Sequence, residues 1–202
     1  MIQITCYQTC KTDSKDWRVL YDEFPHHASN SKNKFQWLGN GYYFWTDSPR
    51  FAEWWGTDRL NQPYCITRYS IHIEYDMIFD MVGNTGHIEF FFEKLLKNYE
   101  VLYEKARKFS STKLPEPTIA TVIDHMRNFY KEQVFNYRAM KICDAWLDKD
   151  FKIGFTPKTK CYEFFSGIRR IQLCVFTGEE QCIQDKTPHY PTEYCDVITQ
   201  AS

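Results

Sequence analysis

No apolar run in this chain approaches the ~20 residues that a membrane-spanning helix needs, which excludes a helical membrane protein. Charge of one sign is not in surplus either. Lys and Arg number 25 against 26 Asp and Glu, a formal net charge of -1. Whole-chain electrostatics therefore favour neither nucleic acid nor an anionic membrane, and only local basic patches could do so. The opening MIQITCYQTCKTDSK has no charged segment followed by an apolar stretch, so no secretory signal is read there. C-x-x-C is missing, and the histidines do not stand at zinc-ligand spacings from the cysteines. Also missing are a G-x-G-x-x-G after a strand, a Walker lysine motif and a G-x-S-x-G elbow. Their absence argues against a dinucleotide-binding Rossmann unit, a P-loop nucleotidase and an α/β-hydrolase. Internal repeats and low-complexity tracts are absent too.

What the chain does have is 202 residues, enough for one domain with a sizeable core, and an aromatic share of 18%. Its eight cysteines, with no signal and no ligand spacing, are expected to be free thiols in a cytoplasmic protein. His26 and His27 read as polar loop residues before they read as metal ligands, and no metal site is expected.

The hydropathy pattern gives an order of elements. MIQITCY reads as a strand with Ile2, Ile4 and Cys6 on one face. SKDWRVLYDEF reads as a helix, because Trp17, Leu20, Tyr21 and Phe24 recur at helical spacing. GYYFW reads as a short strand, and DSPRFAEWW as a helix start with Asp47 or Ser48 as cap and Pro49 in the first turn. On that helix Phe51, Trp54 and Trp55 form a stripe that reads as core. YCITRYSIHIEY alternates as a strand should. From Gly86 to about Asp150 the pattern turns helical: Phe91, Leu95, Tyr99 and Leu102 make one stripe, and TIATVIDHMRNFYKEQVFNYRAMKICDAWL reads as one long or two shorter helices. KCYEFF, IRRIQLCVF and EYCDVIT then read as strands. The expectation is an α+β fold with mixed or antiparallel sheets, a single domain over 1–202 carrying a helical insertion at about 86–150.

The stretch from Trp37 to Trp55, WLGNGYYFWTDSPRFAEWW, sets two glycines against a dense aromatic cluster. By its residues alone it has two readings. Gly39 and Gly41 form a turn while Tyr43, Phe44 and Trp45 are core; or flexible backbone is set beside aromatic faces to receive a flat, ring-shaped ligand.

The same segment resembles the central motif of ADP-ribosyltransferases of the diphtheria-toxin and poly(ADP-ribose) polymerase type: a glycine-rich loop, a tyrosine-phenylalanine strand, then a helix. It is closer still to small bacterial toxin or phage-defence transferases with a Trp-Leu-Gly-Asn-Gly-aromatic-Tyr-Phe-Trp segment. The similarity is dense over about 20 residues and ordered at two further points. It implies a split β-sheet core that binds NAD as co-substrate. Tyr43 aligns with the nicotinamide-stacking tyrosine, with Tyr42 and Phe44 beside it and Gly39 and Gly41 before it. Gln8, flanked by Tyr7 and Thr9, falls where the family has a ribose-binding His. Gln172 falls where it has Glu, so the pattern becomes Gln-Tyr-Gln. A Gln can hold a ribose hydroxyl but cannot act as a carboxylate base, which speaks against poly(ADP-ribose) elongation. Glu163 is a substitute carboxylate. Arg169 and Arg170 read equally as a solvated edge or as a pair steering a phosphate-bearing ligand.

The resemblance implies a mono-ADP-ribosyltransferase modifying a protein or nucleic-acid acceptor, an intracellular effector with an antitoxin or immunity partner. The rival readings are a catalytically degenerate NAD- or protein-binding module and an NAD glycohydrolase.

Overall fold

The computed structural model describes residues 1–30, 36–112, 114, 116–144, 151–153, 163–165 and 169–200, the two short central pieces by their backbone only. In chain order the elements begin with β1 (Ile2–Lys11), α1 (Trp17–Glu23), β2 (His27–Ala28) and β3 (Gly41–Thr46). Then α2 (Arg50–Trp54) runs into a π-helical segment, Trp55–Leu60. β4 (Tyr64–Ile73) and β5 (Ile78–Asp80) precede a nearly continuous helical arm made of α3 (Thr85–Phe90), a π-helical segment Phe91–Leu96 and α4 (Lys97–Phe109). The remainder is α5 (Ile119–Tyr130), β6 (Ala139–Cys143), β7 (Phe151–Ile153), β8 (Glu163–Phe165), β9 (Ile171–Phe176), β10 (Ile183–Tyr190) and α6 (Thr192–Thr199).

Eight of these strands form one sheet in the order β10-β4-β1-β3-β9-β6-β5, with β2 paired to β3; β7 and β8 pair separately. Every described pairing in the sheet is antiparallel except β5 with β6. The architecture is α+β. Two ladders are long: β1 pairs with β4 over its whole length, and β3 pairs with β9 from Gly41↔Phe176 to Trp45↔Gln172. Between them the β1–β3 ladder is short, with register pairs only at Cys6↔Thr46 and Tyr7↔Trp45.

Side-chain alternation assigns the two faces of the sheet. Phe44, Leu173, Val175 and Ala139 point to one face, where Leu20 and Phe24 from the α1 region and Tyr194 and Ile198 of α6 cover them. On the opposite face, Met140, Ile142, Cys174 and Phe176 pack against Leu95 of the arm and Val122, Ile123 and Met126 of α5. Farther along that face Tyr7, Trp45 and Ile66 pack against Phe51 and Ala52 of α2. Two separate helical groups thus share one face, and the border between them falls between Tyr43 and Trp45 of β3.

Local sequence explains the helix starts. The Asp16 carboxylate accepts from Arg18 N to cap α1, and Thr118 and Thr121 cap α5 reciprocally.

Two expectations need correction. The segment expected to be helical through Asp150 stops at Tyr130, and Ala139–Cys143 is instead a strand lying between β9 and β5. In its run AMKIC, Met140 and Ile142 are buried on one face, and Ala139 with the half-buried Lys141 and Cys143 lies on the other; five residues are too few for the period to separate a strand from a helix. EYCDVIT, expected as a strand, lies in helix α6; Tyr194 and Ile198, four apart, face the core, and Pro191 sits at the N-cap. Between β9 and α6 the segment IQDKTPHY is a further strand, β10. It is an edge strand with two register shifts against β4, so little of it is buried and its polar composition hides it.

Candidate functional site

Where β1 leaves β3 beyond Tyr7, a cleft of about 230 Å³ opens. Gln8 and Thr9 of β1 form one wall, with His26, His27 and Ala28 above them. Tyr43 and Trp45 of β3 and Gln172 of β9 form the floor, and Trp37 and Trp55 close the two sides. The three sequence segments singled out for the site therefore meet in one place, although Gln8 and Gln172 lie 164 positions apart in the chain.

The hydrogen bonds of these residues decide what each can do for a ligand. The Gln8 amide is nearly saturated. Its Nε2 donates to His26 O at 3.0 Å and to Tyr43 O at 3.2 Å, and its Oε1 accepts from His26 N at 2.6 Å. An amide nitrogen has two donors, and both are used. Gln8 is thus a staple that ties β1 to β3 and to the chain after α1 just where the strands part. The expected role of Gln8, holding the adenosine ribose, is not open to its NH₂ group in this arrangement. The neighbouring Thr9 hydroxyl is also engaged, donating to Ala52 O at 2.7 Å.

The Tyr43 hydroxyl turns away into the glycine loop. It accepts from Leu38 N at 3.0 Å and donates to Gly39 O at 2.7 Å. Burial pushes its pKa well above the usual phenol range, so it stays a neutral hydrogen-bonding group. What faces the cleft is the ring.

Gln172, 9% exposed, is fixed from the other side. Trp37 Nε1 lies 2.9 Å from Gln172 Oε1. An indole N–H can only donate, so the atom facing it must be the amide oxygen, and the Gln172 NH₂ group is the one left for the cleft. The site meets a ligand here with a donor, where a carboxylate would present an acceptor.

Of the remaining expected residues only Phe44 also lines the cleft. Tyr7 is buried against the α2 group and meets His189 edge-on. Tyr42 and Phe44 side chains pack on the α1/α6 face; Tyr42 contacts the His27 ring edge-on at 5.0 Å. Gly39 and Gly41 owe their identity to the protein's own packing. Gly39 has φ +85°, a conformation that disfavours a side chain, and a Cβ there would collide with the Asp124 carboxylate. A Cβ on Gly41 would fall 2.5 Å from Val175 O. Both glycines press the loop against α5 and β9; neither lines the cleft. The side chain of Glu163 lies outside the described residues.

The arginine pair divides. Arg169 is exposed, whereas Arg170 is buried, its guanidinium 4.5 Å from the Trp54 ring and 3.3 Å from Asp144 Oδ2. The solvated-edge reading fails for Arg170. Trp54 in turn meets Trp55 and Trp45 edge-on, so Arg170 is separated from the cleft by tryptophan rings. Sequence reading missed Trp37 as a site residue and took Trp55 for core, yet Trp55 is 37% exposed at the cleft edge. Helical spacing alone could not separate it from its buried neighbours; the π-helical turn that begins at Trp55 rotates the stripe. The His26–His27 pair, read as loop, stands on the cleft wall.

No group of three or more His, Cys, Asp or Glu side chains that could hold a metal ion occurs among the described residues. Among those residues no helix is long and apolar enough to cross a membrane. Comparison with protein-family models, with curated proteins and with solved structures finds no match to this chain.

Proposed function

We propose that the chain is an NAD-dependent mono-ADP-ribosyltransferase of split-sheet architecture, acting inside the cell on a macromolecular acceptor. The observation that carries this reading is the convergence of Gln8, Tyr43 and Gln172 on one cleft at the point where β1 and β3 separate. The segments that hold them resemble the NAD-binding elements of that superfamily, and their distance in the sequence gives them no reason to meet.

The cleft chemistry suits the nicotinamide end of NAD. At about 230 Å³ it has room for a ring and its ribose, leaving the adenosine half to the open surface. The Tyr43 ring offers a stacking face, and Trp45, Trp55 and Trp37 exclude water. The Gln172 NH₂ donates to a ribose hydroxyl oxygen. In the reaction the bond between nicotinamide and C1 of the ribose breaks and nicotinamide leaves as a neutral base. The oxocarbenium-like centre, stabilised by the neighbouring π-faces, is captured by the acceptor nucleophile, which gives up its proton to solvent. Poly(ADP-ribose) elongation is not part of this proposal, because the group at position 172 is an amide donor.

The test is incubation of the purified chain with adenine-labelled NAD and cell lysate, following free nicotinamide and label on macromolecules together. Release with label supports transfer; release without label makes the chain a glycohydrolase. The second reading, an NAD-binding module without turnover, is favoured by one observation, the saturated Gln8 amide. NAD binding with no nicotinamide release under any lysate would establish it.

A further inference from the structure

Near the cleft, but outside the residues that line it, two thiols face one another. β1 and β4 run antiparallel in unbroken register from Ile2↔Ile73 to Lys11↔Tyr64, so Cys10 stands directly opposite Cys65. Their sulfur atoms are 3.7 Å apart. Directly opposed Cα atoms in an antiparallel ladder are about 4.5–5.5 Å apart, inside the ~4.4–6.8 Å range that a disulfide spans. Only the sulfurs need to approach, to about 2.05 Å, and side-chain rotation supplies that movement without shifting either strand. Cys65 is fully buried and Cys10 half-buried, so one sulfur is reachable from solvent and the other waits behind it.

The location gives the pair a consequence. Beyond Tyr7, β1 has lost its ladder to β3. The half of β1 without a β3 partner, Gln8 to Lys11, begins with the cleft residues Gln8 and Thr9 and is held by the Gln8 staple on one side and by β4 on the other. Cys10 follows Thr9, which lines the cleft.

We propose that Cys10 and Cys65 form a redox site that takes a low-molecular-weight disulfide as oxidant, and that closing it fastens this wall of the cleft to β4. The Cys10 thiolate attacks one sulfur of the small disulfide, forming a mixed disulfide and expelling one small thiolate. The Cys65 sulfur, losing its proton, then attacks the Cys10 sulfur and expels the second. Two protein thiols lose two electrons and two protons, and one small disulfide becomes two small thiols. The sulfur–sulfur contact with Cys65, joined by burial, holds the Cys10 thiol well above its ordinary range, with the His26 imidazole acting the other way. The thiolate is therefore scarce and exchange is slow, so an equilibrium redox buffer is the right probe.

The full chain is equilibrated in glutathione buffers of graded ratio, the remaining thiols are alkylated, and the products are digested with trypsin. The oxidised form is expected to lose two mass units and to link the Met1–Lys11 peptide to Leu60–Arg68. Dithiothreitol should reverse this. Because Cys6 shares the first peptide, Cys10→Ser must abolish the link while Cys6 remains. Amide exchange over Gln8–Lys11 should slow several-fold on oxidation. Full alkylation of both cysteines in the most oxidising buffer would overturn the proposal. So would glutathione left on Cys10 with no link to Cys65, and a link that leaves amide exchange unchanged would overturn the fastening.

Discussion

At the scale of single residues, the cleft is organised by groups whose hydrogen bonds point away from it. Tyr43 is the clearest case: its hydroxyl holds the glycine loop and only its ring is offered to a ligand. Tyr43→Phe should therefore keep most NAD affinity while lowering stability by about 1–3 kcal/mol, because Leu38 N–H is left unpaired. Tyr43→Ala should lose NAD binding and also about 3–5 kcal/mol of stability from the ring. Melting curves read beside NAD titrations check this; a Phe variant with unchanged melting and no NAD affinity would move the hydroxyl into the site. Gln172 permits a second prediction. In Gln172→Glu one carboxylate oxygen can take over the bond from Trp37 Nε1, so the geometry survives while the cleft-facing atom changes from donor to acceptor. A carboxylate beside a developing oxocarbenium ion should keep or raise nicotinamide release, and Gln172→Ala should depress turnover more than binding. An Ala variant that binds NAD and releases nicotinamide as wild type does would place position 172 away from the scissile bond.

At the scale of elements, legibility in the sequence followed burial pattern. α1 and α5 could be read because each buries one face and carries a cap signal, Asp16 or Thr118. β4 was readable from its alternation and β9 from its resemblance. β6 was not, since five residues that follow a helical pattern are too few for their period to show a strand. Nor was the Trp37–Gln172 bond, which joins residues 135 apart and leaves no local trace. The consequence is practical. Removing Gly86–Asp150 looks harmless if that segment is an appendage. In the fold it takes away β6, next to β9, together with Val122, Ile123 and Met126 of α5, which cover Cys174 and Phe176. The deletion should yield insoluble or unfolded chain; a soluble product with cooperative melting would show that β9 does not need β6. Within α5, burial raises the pKa of Asp124 above the usual carboxylate range, Arg127 opposing. A raised folded-state pKa adds stability below the ordinary aspartate value of ~3.9 and withdraws it as pH rises through the raised value. Asp124→Asn should therefore melt roughly 1–3 °C higher than the parent at pH 7.5, with the gain shrinking toward pH 4. A gain independent of pH would assign the effect to packing behind Gly39 instead.

At the scale of the whole molecule, the face that carries the cleft is built as two helical groups on one sheet. The α2 group sits over Tyr7 and Trp45, and the α5 group over Cys174 and Phe176. The strand β3 crosses the border between them, and it is joined to β1 by two register pairs, the Asp47 N to Thr5 O bond and the Gln8 staple. A ligand in the cleft touches both groups at once, Trp45 and Trp55 on one side and Tyr43 and Trp37 on the other. Anything that binds the folded state alone stabilises it by mass action, about 2.7 kcal/mol at a hundred times its Kd. For a chain of this size that is a rise in Tm of roughly 5–11 °C. NAD at that excess should give a shift of this order, spread over one cooperative transition because both groups are engaged. Nicotinamide alone, reaching only the Tyr43 face, should give a smaller one. Tyr43→Phe should retain the shift and Tyr43→Ala lose it, whatever the parent melting temperatures of the two variants. The Cys10–Cys65 link, lying on β1 and β4 away from the cleft floor, should raise the starting Tm without removing the NAD increment. If millimolar NAD leaves the melting of the reduced, wild-type chain unchanged, the cleft does not bind the dinucleotide, and the transferase reading fails with it.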